Sequence, residues 1–139
     1  AGIAWGAMVA DQLKLPFSYV RPKPKEHGLG NQIEGKISAG DKVIVVEDLV
    51  STGMSSLKVV DAIRATGAEI AGMVSIFTYG FPQAETAFSE AGVKLISLTN
   101  YDSLLQVGLQ KGIFQEDQLN ILLNWRHDPE GWAKLQESK

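Results

Sequence analysis

Residues 43–56, VIVVEDLVSTGMSS, constrain this chain more tightly than any other stretch. β-branched apolar residues run straight into two adjacent acids, Glu47 and Asp48, and then into a small polar turn, Ser51-Thr52-Gly53, from which a helical pattern starts. A short continuous apolar run of this kind reads as a strand buried on both faces, as strands of parallel sheets are. Unpaired charge costs several kcal/mol or more to bury. Carboxylates at the end of such a strand are therefore expected to serve something outside the sheet.

The flanking sequence supplies an alternating chain of helices and strands. Residues 3–14 carry Ile3, Met8 and Leu13 at nearly helical intervals, and Pro16 stops that helix before a short strand over 17–20. Residues 21–42 are rich in Gly, Pro and charge, with little beyond Ile33 and Ile37 to bury, and predict a long connection without regular structure. The strand over 43–47 leads to a helix over 54–66, with Leu57, Val60 and Ile63 on one face and Gly67 as its stop. Residues 69–80 read as a strand, 82–92 as a helix opened by Pro82 and closed by Gly92, and 93–99 as a further strand. From residue 101 the pattern is helical, with Asp128 as an N-cap and Pro129 at a first helical position. Trp125, His127 and Trp132 read as packing residues, and Glu116 and Asp117 as first-turn helix charges. Strands alternating with helices imply right-handed crossovers and an α/β fold built on a parallel sheet with flanking helices. Ligands of such sheets bind beyond the carboxyl ends of the strands, where Glu47, Asp48 and the turn fall.

Composition narrows the partners. The 139 residues, 45% hydrophobic and 21% charged, fit one soluble globular domain over 1–139. A net charge of −3 gives no general affinity for nucleic acid or an anionic membrane. The absence of cysteine removes disulfides, thiolate metal sites and cysteine nucleophiles. No apolar run approaches the roughly 18 residues of a membrane span, so a cytoplasmic location is expected. The chain starts without Met and enters a helix at once, which suggests processing or a piece of a longer protein.

The turn after the acids suits an anion. Backbone N–H groups at a helix N-terminus and the positive end of the helix dipole both favour a phosphate. Ser51, Thr52, Ser55 and Ser56 can add hydroxyl donors, and Gly53 allows close approach. The spacing is not that of a Walker loop, and GLGNQIEG at 28–35 lacks the spacing and context of a dinucleotide fingerprint. A phosphate site directly after two carboxylates suggests a sugar phosphate, with the acids accepting hydrogen bonds from ribose hydroxyls.

The string of four hydrophobics, two acids, two hydrophobics and a Ser-Thr-Gly turn resembles the phosphoribosyl pyrophosphate signature of the type I phosphoribosyltransferases. The resemblance implies that Glu47 and Asp48 lie over the donor's ribose and that Val50, Ser51, Thr52, Gly53, Met54 and Ser55 cradle its 5′-phosphate. A second segment, RPKPKEHG at 21–28, puts Arg21, Lys23, Lys25 and His27 at alternate positions, and Pro22 and Pro24 block a helix. In an extended conformation these cations would share one side, as a pyrophosphate leaving group needs. Lys25-Glu26-His27-Gly28 is similar to the catalytic loop of the orotate phosphoribosyltransferases.

That resemblance implies transfer of phosphoribosyl to orotate, giving orotidine monophosphate and pyrophosphate. Lys25, His27 and Asp48 are then the catalytic residues, and Arg21, Lys23, Lys25 and His27 the pyrophosphate ligands. It also implies Mg²⁺ carried on the donor, with contacts to Glu47 and Asp48 through water, and a homodimer in which the loop over 21–36 crosses to the partner. The resemblance implies a further N-terminal strand and a base-closing segment, both expected to be missing from these 139 residues. Family members also commonly place an arginine at the end of the strand over 70–79, where this chain has Phe77, Thr78, Tyr79 and Gly80. A purine phosphoribosyltransferase is the nearest alternative, and a nucleotide-sensing regulator that keeps the same donor site is another.

Overall fold

The computed structural model describes residues 1–22, 32–129 and 131–132. By its internal contacts the chain forms two compact units, Ala1–Leu98 and Thr99–Lys139.

The first unit starts with helix α1, Gly2–Leu13, which ends on Lys14 in the left-handed conformation with its N–H shared between Ala10 and Asp11 carbonyls. Only Gly2 and Gly6 of α1 are buried. A Cβ built on Gly2 would lie 2.9 Å from the Val46 carbonyl oxygen, so the missing side chain is what lets the helix rest on strand backbone. Strands β1, Tyr19–Val20, and β2, Ile33–Glu34, pair antiparallel with Tyr19 opposite Glu34. The connection expected to lack regular structure thus closes into a hairpin at its base. Backbone and side chain secure that closure together: Arg21 N–H donates to the Gln32 carbonyl at 2.8 Å, and Gln32 Nε2 donates back to the Arg21 carbonyl at 3.0 Å.

Strand β3, Lys42–Val50, runs parallel to β4, Glu69–Thr78, and helix α2, Met54–Arg64, makes the crossover. β3 is longer than the strand expected over 43–47, because pairing continues past the acids to Leu49 opposite Phe77 and Val50 opposite Thr78. Glu47 and Asp48 therefore lie inside the strand. Helix α3, Pro82–Glu90, and strand β5, Leu95–Asn100, follow, and the sheet order is β3-β4-β5. Val45, Val50 and Met73 from the sheet, Val60 and Ile63 from α2, and Ala84 and Phe88 from α3 form one core. Gly67 and Gly92, at φ 83 and φ 61, make the left-handed turns after α2 and α3 that the sequence predicts. Inside the sheet, buried Ser75 meets Ser97 at 2.7 Å, hydroxyl to hydroxyl.

The second unit is a helix pair. α4, Tyr101–Gln110, is capped by the Asn100 side chain accepting from Ser103 N–H, and α5, Glu116–His127, by a capping box between Gln115 and Gln118. Tyr101 is buried, its hydroxyl donates to the Leu122 carbonyl at 3.2 Å, and Trp125 packs against its ring. Arg126 pairs with Asp102 and lies over the Tyr101 ring. Asp128 caps the next turn by accepting from Gly131 N–H at 3.0 Å, as expected. His127, expected to pack, is instead exposed on the last turn of α5. Among the described residues no helix is long and apolar enough to cross a membrane.

Candidate functional site

β3 delivers Glu47 and Asp48 to consecutive strand positions, so their side chains leave on opposite faces. Glu47 shares its face with Val45 and looks toward α2, where the Ser56 hydroxyl hydrogen-bonds to its carboxylate. Ser56 itself is only 1% exposed. Burial raises the Glu47 carboxyl above its ordinary value, the Ser56 bond opposes that rise, and the nearby charge of Asp48 adds to it. A partly buried carboxylate with one fixed donor keeps acceptor capacity for a ligand hydroxyl.

After Val50 the chain turns through Ser51 and Thr52 to Gly53, which is buried and takes φ 80 as the N-cap of α2. No side chain caps this helix, so its first N–H groups lack the partner that Ser, Thr or Asp usually gives. Ser55 and Met54 are exposed on that first turn. The end of β3 is held in place from β4: the Tyr79 N–H and the Thr78 hydroxyl both donate to the Val50 carbonyl, at 3.1 and 3.3 Å. Strand end and helix start thus form a fixed cradle open to an anion.

An open groove of about 1310 Å³ runs from this cradle along α1 to the base of the hairpin. Arg21, Glu47, Thr52, Met54 and Ser55 line it together, with Lys58 beside them. Asp48, Val50, Ser51 and Gly53 belong to the strand end and turn but do not line the groove. Arg21 is held by Glu34, Nη1 to Oε1 at 3.1 Å. Lys23, Lys25 and His27 lie outside the described residues. Among the described residues no group of three or more His, Cys, Asp or Glu could cage a metal.

Sequence reasoning missed two partners at this site. By position Ser56 belongs with the turn hydroxyls, yet it faces inward, and its spacing from Val60 and Ile63, on the apolar face of α2, carries that signal. Glu34 gave none, because its pairing with Arg21 depends on the hairpin register.

The comparisons with known proteins agree with this geometry. An orotate phosphoribosyltransferase of Bacteroides fragilis is 56% identical over 130 residues, which is 94% of this chain and 61% of that protein. The chain thus spans about three fifths of the length of the curated relatives it matches. The crystal structure of orotate phosphoribosyltransferase from Aeropyrum pernix matches with a TM-score of 0.66 at 31% identity, covering 76% of this chain and 59% of that one. An adenine phosphoribosyltransferase from Leishmania tarentolae matches with a TM-score of 0.57 at 28% identity, over 73% of this chain and 58% of that one. The phosphoribosyl transferase domain family matches residues 1–111, four fifths of the chain and all of the strands, helices and turns that build the groove. On that match, and on the cradle that the family's signature forms here, the chain belongs to the phosphoribosyl transferase domain family.

Proposed function

We propose that the protein transfers phosphoribosyl from phosphoribosyl pyrophosphate to orotate, giving orotidine 5′-monophosphate and pyrophosphate for pyrimidine synthesis in the cytoplasm. The observation that carries the reading is the single groove that joins Arg21, Glu47, Thr52 and Ser55, in a chain 56% identical to an orotate phosphoribosyltransferase. The 5′-phosphate sits in the cradle over 51–55, the ribose hydroxyls meet Glu47, which lines the groove, and Arg21, with Lys23, Lys25 and His27, takes the pyrophosphate. Substitution at the anomeric carbon through an oxocarbenium-like state needs no protein nucleophile, so these residues act by orientation and charge.

Magnesium fits the donors present, since Mg²⁺ keeps most of its water and is commonly held by one or two carboxylates and substrate phosphates. Glu47, which lines the groove, is such a carboxylate, whereas Asp48 leaves β3 on the other face. Bound with the donor, Mg²⁺ neutralises charge that develops on the leaving pyrophosphate. A homodimer that exchanges the loop over 21–36 completes the reading, each copy lending its cations to the other.

One observation keeps a purine base in play. No arginine stands at the end of β4; Arg64 donates to the Ala91 carbonyl and Arg126 pairs with Asp102. The test is turnover by the full-length protein with Mg²⁺ and phosphoribosyl pyrophosphate, offered orotate, adenine or hypoxanthine. Orotidine monophosphate from orotate alone is expected. Turnover of a purine would reassign the base, and donor binding with no turnover but with affinity for nucleic acid would make the protein a regulator.

A further inference from the structure

Phe88 lies on the inner face of α3, one turn after Ala84, and both are 3% exposed. Its ring is directly beneath Gly53. A Cβ built on Gly53 would come within 2.8 Å of Phe88 Cε2 and 3.3 Å of Cδ2, so the glycine Cα rests on the ring edge with no room between. Gly53 is buried although it belongs to a turn whose neighbours Met54 and Ser55 are exposed, and its carbonyl accepts the first helical bond of α2 from Leu57 N–H at 2.9 Å. The turn is therefore held from two directions. β4 holds Val50 through the bonds from Tyr79 and Thr78, and α3 supports Gly53 from below.

We propose that Phe88 is a positioning residue for the anion cradle: its ring sets the height of Gly53, and with it the direction in which the N–H groups at the start of α2 point. This rests on the reading of residues 51–55 as the phosphate site. Hydrogen bonds from backbone N–H weaken steeply as distance and angle depart from ideal, and a displacement near 1 Å in a positioned group can cost on the order of a hundredfold in function. A core residue with no contact to ligand thus has a direct route to affinity.

The test compares Phe88→Leu, which keeps an apolar side chain but removes the ring edge, with Ile63→Val. Ile63 is 3% exposed in the same core, ten residues along α2 from Gly53, or about 15 Å at the helical rise. Affinity for phosphoribosyl pyrophosphate with Mg²⁺ is measured by calorimetry well below both melting temperatures, and amide hydrogen exchange is followed without ligand. Phe88→Leu should bind about tenfold more weakly and exchange faster at 53–57 than along the rest of α2. Ile63→Val should melt lower yet keep its affinity and its exchange pattern at 53–57. Unchanged exchange at 53–57 in Phe88→Leu, or equal loss of affinity in both variants, overturns the proposal. A wild-type protein that takes up no donor would instead overturn the phosphate reading, and the exchange pattern would still decide the role of Phe88.

Discussion

Arg21 Nη1 lies 3.1 Å from Glu34 Oε1 across the hairpin of β1 and β2, so the guanidinium that faces the groove already has an anion. An incoming pyrophosphate must take that guanidinium from Glu34. Partly exposed ion pairs contribute about 0–1 kcal/mol. Glu34→Gln should therefore barely move the melting temperature and should tighten binding of pyrophosphate with Mg²⁺, by up to about fivefold. Titration calorimetry measures this, and weaker binding would mean that Glu34 orients Arg21 rather than competing for it.

Glu47 should show its burial in the pH dependence of stability. Its carboxyl is raised above the ordinary value of 4.5, chiefly by burial, so the folded protein holds that proton more tightly than the unfolded chain does. The group's contribution is then most favourable below the unfolded value, declines as pH rises through the folded value, and stays a cost above it. Glu47→Gln keeps an acceptor for the Ser56 hydroxyl without the charge. It should melt higher than wild type at pH 7, match it in acid, and bind phosphoribosyl pyrophosphate more weakly. A lower melting temperature at pH 7 would contradict the sign.

Ser55 isolates the cradle. It is exposed on the first turn of α2 and lines the groove, so its loss should leave the fold intact. A hydrogen bond to a charged group is worth about 1.5–3 kcal/mol. Ser55→Ala should weaken donor binding by about ten- to a hundredfold, with a melting temperature close to wild type. Equal affinity would move the 5′-phosphate off this turn.

The Ser75 and Ser97 hydroxyls should behave as a pair. Removing one partner of a buried hydrogen bond leaves the other unsatisfied at about 1–3 kcal/mol, whereas removing both can be nearly neutral. Ser75→Ala should therefore cost more alone than it does in a Ser97→Ala background, measured by urea unfolding. Additive effects would show that the two hydroxyls do not depend on each other.

Much of this site was legible in the sequence because strand, acids, turn and helix are contiguous between residues 43 and 66. The small polar turn Ser51-Thr52-Gly53 marks where α2 starts, with Gly53 at φ 80 as its N-cap. What escaped depends on residues far apart in the chain. The apolar pattern predicts a strand that ends at Glu47, since acids break the run, but pairing of Val50 with Thr78 extends it. β2 is only Ile33–Glu34, too short to show a period, and its partner lies beyond a proline-rich segment. The ring of Phe88 under Gly53 joins positions 35 residues apart, which no spacing rule reaches.

Glycine inside a helix costs roughly 0.5–1 kcal/mol relative to alanine, and an isolated helix of fewer than about 12–15 residues is marginal in water. α1, at 12 residues with Gly2 and Gly6 on its buried side, has little helical stability of its own. What it gains, it gains by lying against the backbone of β3, which must already be extended to receive it. During folding α1 is therefore a follower: it should condense only after β3 has paired with β4, and substitutions in it should change the unfolding rate more than the folding rate.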